Sequence, residues 1–221
     1  GHKGSGKDPE RFTFLMRKFF FIATVLVWGG AHAQEPRIVL PSMHHSSIDD
    51  LAFSPDGKYL LSASYDGTAK LWDIRTGILL ADITSHSRDI TSVDFSFDGK
   101  YFLTASRDAT IKIWKVPEIE LVAEFKEEIL GFNNAAFSPD GKQVVAAIGD
   151  GEVTVWDIQK KKLLWRIGDS GASTSSAFFA AFSSDGKMIY ANTRDSTIGI
   201  WSAETGALIR KLEKKPSNDL N

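Results

Sequence analysis

An all-β fold built from four copies of one four-stranded unit is what this chain predicts, and three observations predict it. Ser54-Pro55-Asp56-Gly57-Lys58 recurs as Ser96-Phe97-Asp98-Gly99-Lys100, Ser138-Pro139-Asp140-Gly141-Lys142 and Ser183-Ser184-Asp185-Gly186-Lys187. A tryptophan follows each copy at a fixed distance: Trp72, Trp114, Trp156 and Trp201, at steps of 42, 42 and 45 residues. Between these marks lie short runs of alternating apolar and polar residues. Self-similarity at that period means a repeat architecture, and period-two alternation means strands. Repeat folds present surfaces more often than they carry chemistry.

The second repeat shows the elements in order. Asp89 to Ser96 alternates through Ile90, Val93 and Phe95 and predicts a first strand. Phe97-Asp98-Gly99 is a turn: Asp bonds its own backbone and Gly supplies positive φ. Tyr101 to Ser106 is the second strand, Arg107-Asp108-Ala109 a tight turn, and Thr110 to Val116 the third strand. Pro117-Glu118 breaks it, and Ile119 to Phe125 is the fourth. The outer strands of the other repeats fall at Ile78–Thr84, Leu163–Ile167 and Ala207–Leu212. Four short strands joined by turns form an antiparallel meander. Such a sheet cannot bury both faces alone and must stack on its neighbours. The repeats run from about 42 to 84, 85 to 126, 127 to 168 and 169 to 212.

Composition narrows the rest. The 221 residues are 43% hydrophobic and 24% charged, with a formal net charge of −2. That balance does not point to nucleic acid or an anionic membrane surface as partner. There is no cysteine, so disulfides, thiolate metal sites and cysteine nucleophiles are excluded. Near the N-terminus, Met16-Arg17-Lys18 precedes the apolar run Phe19 to Trp28, then Gly29-Gly30 and Ala31-His32-Ala33. This is the layout of a secretory signal peptide over residues 16–33, with cleavage expected after Ala33. The apolar run is shorter than the roughly 20 residues a membrane span needs, so no stable span is expected after cleavage. Residues 1–15 read as an upstream extension or leader. The segment Gly1 to Asp8 nearly matches a phosphate-binding loop, but Asp8 stands where a Ser or Thr hydroxyl is required.

The repeats resemble the WD-repeat β-propeller family. The residues that carry the resemblance are Leu71-Trp72-Asp73, Ile113-Trp114-Lys115, Val155-Trp156-Asp157 and Ile200-Trp201-Ser202, each after its Ser-x-Asp-Gly-Lys turn. The resemblance covers residues 36–221. It implies a propeller of four-stranded blades, each locked by a His, a Ser or Thr, an Asp and the Trp. His44, Ser62 or Ser64, Asp66 and Trp72 match in the first repeat. His86, Thr104 or Ser106, Asp108 and Trp114 match in the second. The third and fourth keep Asp150 with Trp156 and Asp195 with Trp201, but have Glu128 and Ser173 at the histidine position, so these blades are expected to be less rigidly tied. The family usually closes with seven or eight blades, so four imply an incomplete ring. Ser217 to Asn221 resembles Ser87 to Thr91, the start of a first strand, which predicts further repeats. The rival expectation is a homodimer that closes an eight-bladed ring.

No constellation for chemistry survives these assignments. The Ser, His and Asp of the first two repeats match the structural lock, and no Gly-x-Ser-x-Gly elbow occurs. His44-His45 has no further ligand at metal spacing nearby. No catalytic residue, metal site or cofactor is expected. The remaining functional surface is the face where the second-to-third and fourth-to-first strand loops converge. Tyr65, Arg107 and Arg194 each stand directly before a turn aspartate there, and Arg88 lies in a neighbouring loop. Tyr and Arg are common interface anchors. The expected function is an exported, periplasmic or secreted, non-catalytic scaffold that binds a protein partner. The alternative is a sensor or accessory propeller domain of a larger exported enzyme.

Overall fold

The structure is a computed structural model and describes residues 43–128, 130–149, 151–167, 178–192 and 197–212. These form sixteen strands in four antiparallel sheets, each a meander in chain order. Blade 1 holds β1 (Ile48–Phe53), β2 (Tyr59–Ser64), β3 (Ala69–Asp73) and β4 (Leu79–Ile83). Blade 2 holds β5 (Ile90–Phe95), β6 (Tyr101–Ser106), β7 (Thr110–Lys115) and β8 (Glu120–Lys126). Blade 3 holds β9 (Phe132–Phe137), β10 (Gln143–Ile148), β11 (Val153–Asp157) and β12 (Lys162–Ile167). Blade 4 holds β13 (Ala180–Phe182), β14 (Met188–Asn192), β15 (Ile198–Ser202) and β16 (Leu208–Leu212). Strand β8 starts one residue later than the sequence pattern indicates, because Ile119 adopts φ +55° and belongs to the turn.

Each Ser-x-Asp-Gly-Lys segment closes its turn by the same bonds. In blade 1, Ser54 Oγ donates to Asp56 at 2.7 Å, and the Lys58 amide to the same carboxylate at 3.1 Å. Gly57, at φ +70°, supplies the left-handed residue. The pattern repeats at Ser96, Ser138 and Ser183. Every third strand also carries a register irregularity immediately before its tryptophan, as at Leu71/Trp72 and Ile113/Trp114. Such a bulge turns the tryptophan relative to its strand.

The cores lie between blades. Leu61, Ala63, Leu71 and Ile83 of blade 1 pack on Val93, Phe95, Phe102 and Trp114 of blade 2. Leu103, Ile111, Ile113 and Phe125 of blade 2 pack on Phe132, Phe137 and Trp156 of blade 3. Val145, Val153 and Val155 of blade 3 pack on Ala180, Ile189 and Trp201 of blade 4. Each blade thus offers a tryptophan face to its predecessor and an aliphatic face to its successor. The ring is not closed by the described residues. In blade 1 the tryptophan-side residues Leu51 and Phe53 are 52% and 66% exposed, against 4% and 6% for their counterparts Val93 and Phe95 in blade 2.

Candidate functional site

The loops that carry the candidate surface are held by side-chain relays. In blade 2 the Trp114 indole N–H donates to Thr104 Oγ1 at 3.1 Å. Thr104 Oγ1 lies 2.7 Å from His86 Nε2, and His86 Nδ1 lies 2.9 Å from Asp108. A carboxylate only accepts, so Nδ1 carries the proton and Nε2 accepts from the threonine. Every polar atom of the relay is satisfied with a neutral imidazole. Burial pushes the His86 pKa down, with the Asp108 charge opposing. Burial also opposes ionisation of Asp108, but hydrogen bonds from Thr110, the Ser87 amide and His86 outweigh it and hold its pKa at about 2. Blade 1 repeats the relay through Trp72, Ser62, His44 and Asp66, at 3.0, 2.8 and 3.0 Å. Ser62 and Thr104, not Ser64 and Ser106, are the hydroxyls used. Ser64 and Ser106 instead receive the amides of Asp66 and Asp108. The Thr104, His86 and Asp108 connectivity copies that of a hydrolytic triad, but Thr104 is fully buried and its hydroxyl is already bonded on both sides.

Blade 3 replaces the relay with charge. Ala146 stands where Thr104 does, and Trp156 donates instead to Thr154 of its own strand at 3.1 Å. Arg166 of the outer strand bonds Glu152 at 2.7 Å and Glu127 at 2.9 Å. Glu152 stands at the position of Thr110, and Glu127 is the neighbour of Glu128, the residue that aligns with His86. Blade 3 is therefore tied by an ion triad that the sequence pattern did not reveal. Asp150, Asp195 and Arg194 lie outside the described residues. In blade 4 the position of Thr104 is Ala191, and Trp201 lies over Gly199, where an added Cβ would run into the indole ring. The signal for the triad was available as a correlated change down one column, with Glu124 becoming Arg166 while Thr110 becomes Glu152.

A second set of residues missed from the sequence stitches the inner strands together. Asp50 accepts from the Ser92 hydroxyl and the Val93 amide, both at 3.0 Å. Asp94 accepts from the Phe137 amide at 2.9 Å, and Asn134 from the Ala180 amide at 2.9 Å. Burial pushes the Asp94 pKa up to about 6, partly countered by its backbone hydrogen bonds. Asp50, Ser92 and Asn134 recur at the repeat period, so reading the repeats column by column would have found them; Asp94 has Ala52 and Ala136 as its counterparts and carries no such signal.

On the loop face the structure brings Tyr65 and Arg107 together. The Arg107 guanidinium carbon stands 5.7 Å from the Tyr65 ring centroid, a cation–π distance. Arg107 Nε lies 3.9 Å from Asp89. Tyr65 is 40% exposed, and the Arg107 side chain 43%. Gly131 passes directly beneath the Arg107 main chain, where an added Cβ would meet its Cα and carbonyl. Asp49 belongs to the same group: burial pushes its carboxyl up, with Arg107 opposing and Asp89 and Asp50 adding. Arg88 is exposed beside them, its carbonyl accepting from Ser106. The exposed Phe178 and Phe179, before β13, were not singled out from the sequence. Among the described residues, no three His, Cys, Asp or Glu side chains are grouped to hold a metal ion.

Comparison with known proteins agrees with this geometry. The family model described as WD domain, G-beta repeat matches residues 36–73, 77–115 and 121–157, together just over half of the chain. Ribosome assembly protein 4 of Saccharomyces cerevisiae is 41% identical over 54 residues, 24% of this chain and 10% of that protein. Probable cytosolic iron-sulfur protein assembly protein Ciao1 of Culex quinquefasciatus is 41% identical over 56 residues, 24% of this chain and 17% of that protein. Notchless protein homolog of Arabidopsis thaliana is 31% identical over 85 residues, 38% of this chain and 17% of that protein. The matched part of the chain thus spans no more than about a sixth of the length of these relatives. With three family-model matches laid over four tryptophan-bearing meanders, the chain belongs to the WD-repeat family.

Proposed function

We propose that this chain is a non-catalytic protein-interaction scaffold and that its contact surface includes the loop face around Tyr65 and Arg107. The observation that carries the reading is the Arg107–Tyr65 stack. It is exposed, backed by Asp89, and borne on turns that the buried relays hold in place. An aromatic–arginine pair held before a partner arrives loses little side-chain entropy on binding. Two relatives named as assembly proteins are consistent with a role in bringing proteins together. The test is affinity capture with the wild-type chain and with Tyr65→Ala and Arg107→Ala. Both variants are expected to keep the melting temperature and lose the captured partner. Identical capture by all three would overturn the assignment of the face.

Export is part of the proposal and rests on residues 16–33 alone, a basic start, a short apolar run and a small-x-small end. Expression of the full chain in a bacterial host, followed by N-terminal sequencing of the mature product, reads it directly. A mature start at Gln34 outside the inner membrane supports export, and retention of residues 16–33 in a cytosolic product overturns it.

A further inference from the structure

The turns that join third to fourth strands differ at one left-handed position. It is Gly77 in blade 1, Ile119 in blade 2, Lys161 in blade 3 and Gly206 in blade 4, with φ between +51° and +71°. These residues decide how the clefts between blades are filled at the outer rim. Between blades 1 and 2, Ile119 packs onto the inter-blade core and plugs the cleft. Between blades 3 and 4, the Trp165 ring lies against Gly206, and the cleft beside it, about 670 Å³, is lined mainly by polar residues, among them Gln143, Asp185, Ser202 and Glu204. Between blades 2 and 3 neither the plug nor the ring is present. The counterpart of Trp165 is Ala123, and the counterpart of Ile119 is Lys161, whose Nζ reaches across to the Val122 carbonyl at 2.9 Å.

What remains there is a cleft of about 380 Å³, floored by Tyr101, Ile113, Phe137 and Ile158. That is near the lower end for ligand pockets and suits one or two large apolar side chains. Its edge is basic. Lys142, Lys160, Lys161 and Lys162 stand on blade 3, against Asp140 and Asp157, which face Lys142 at 3.5 Å and Lys160 at 3.1 Å. Surface pairs of this kind contribute little and exchange readily for a partner's carboxylates.

We infer that the cleft between blades 2 and 3 is a docking site for a linear segment of a partner protein that carries a large apolar side chain flanked by carboxylates. The apolar side chain enters between Tyr101 and Ile158, and the carboxylates meet the lysines of the rim. The inference rests on the reading of the chain as a binding scaffold, but not on the Tyr65–Arg107 face.

Isothermal titration of the full chain with the peptide acetyl-Asp-Glu-Phe-Leu-Glu-Asp-amide tests it. Binding tighter than about 100 μM is expected, weakening at least about tenfold when Phe-Leu is replaced by Ser-Ser. Lys161→Ile installs the plug seen at Ile119, in the backbone conformation Ile119 already adopts, and is expected to weaken binding about tenfold. The exposed double variant Lys142→Glu with Lys160→Glu is expected to do the same without touching the core, and added salt should weaken the wild type alone. Tyr65→Ala and Arg107→Ala should bind the peptide as the wild type does. No binding by the wild type, or binding unchanged by both the plug and the charge reversal, overturns the cleft and leaves the loop face standing. Peptide binding lost in Tyr65→Ala or Arg107→Ala would move the site to the loop face and overturn the cleft as well.

Discussion

Blades 2 and 3 stand side by side with the same topology and are held by different physics. Blade 2 joins its entry loop, second strand and tryptophan through a hydrogen-bonded relay in which a neutral imidazole bridges a hydroxyl and the Asp108 carboxylate. Blade 3 has lost the hydroxyl and the histidine and joins its entry loop to its outer strand through Arg166 and two glutamates. The expectation that blade 3 is loosely tied therefore needs revision in kind: the tie has moved outward and become ionic. A lock position in a repeat is thus a constraint on geometry and satisfied polar atoms, not on residue type.

The comparison can be broken at its strongest point first. Trp114→Ala removes a buried ring that packs on blade 1 and heads the relay, so a loss of about 3–5 kcal/mol in urea unfolding is expected. A loss under about 1 kcal/mol would mean that the relay and its packing do not hold blade 2.

Arg166→Met is the matching cut in blade 3. It leaves the Glu127 and Glu152 side chains, 9% and 8% exposed, without their cation. Breaking a buried pair typically costs about 3–5 kcal/mol; with Arg166 itself 38% exposed, about 2 kcal/mol is expected. Adding Glu127→Gln and Glu152→Gln should restore most of it. No recovery in the triple variant would show that Arg166 acts through packing and not through charge.

An effect of similar size, spread over a pH range, separates blade 2's own lock from its junction with blade 3. Asp94 reaches across to the Phe137 amide, and its folded pKa of about 6 lies above the ordinary aspartate value. A raised value means that the stabilisation is full below about pH 4 and is lost as pH rises through about 6. Asp94→Asn should therefore gain on the wild type by about 2 kcal/mol between pH 4 and 7, measured by unfolding at each pH. Asp108 works in the opposite sense. Its pKa of about 2 makes its contribution full above about pH 4 and lost as pH falls through about 2. Parallel pH profiles for Asp94→Asn and Asp108→Asn would contradict both assignments.

Much of this was legible in the chain. The turn Ser-x-Asp-Gly-Lys and the tryptophan are local chemistry at fixed spacing, so the strands fall where alternation puts them, and Tyr101–Ser106 matches to the residue. The relays of blades 1 and 2 follow a motif that recurs intact. Between Ser62 and Ser64, or Thr104 and Ser106, the sequence is silent, because both hydroxyls lie on one strand face and only inter-strand geometry selects one. The triad of Arg166 was hidden for a related reason. Its members come from an entry loop, a turn and an outer strand, and each reads alone as an ordinary surface charge. The Tyr65–Arg107 stack likewise joins residues 42 apart on adjacent blades.

The sequence by itself determined the repeat, the strand order within each blade and the residues that close each turn, because these depend on interactions within a few residues or one repeat. Tertiary structure decided which blade face meets which, how the inner strands are stitched, and why the cleft between blades 2 and 3 keeps an apolar floor. Those outcomes depend on side chains from different repeats sharing one volume, and spacing along a chain does not record shared volume.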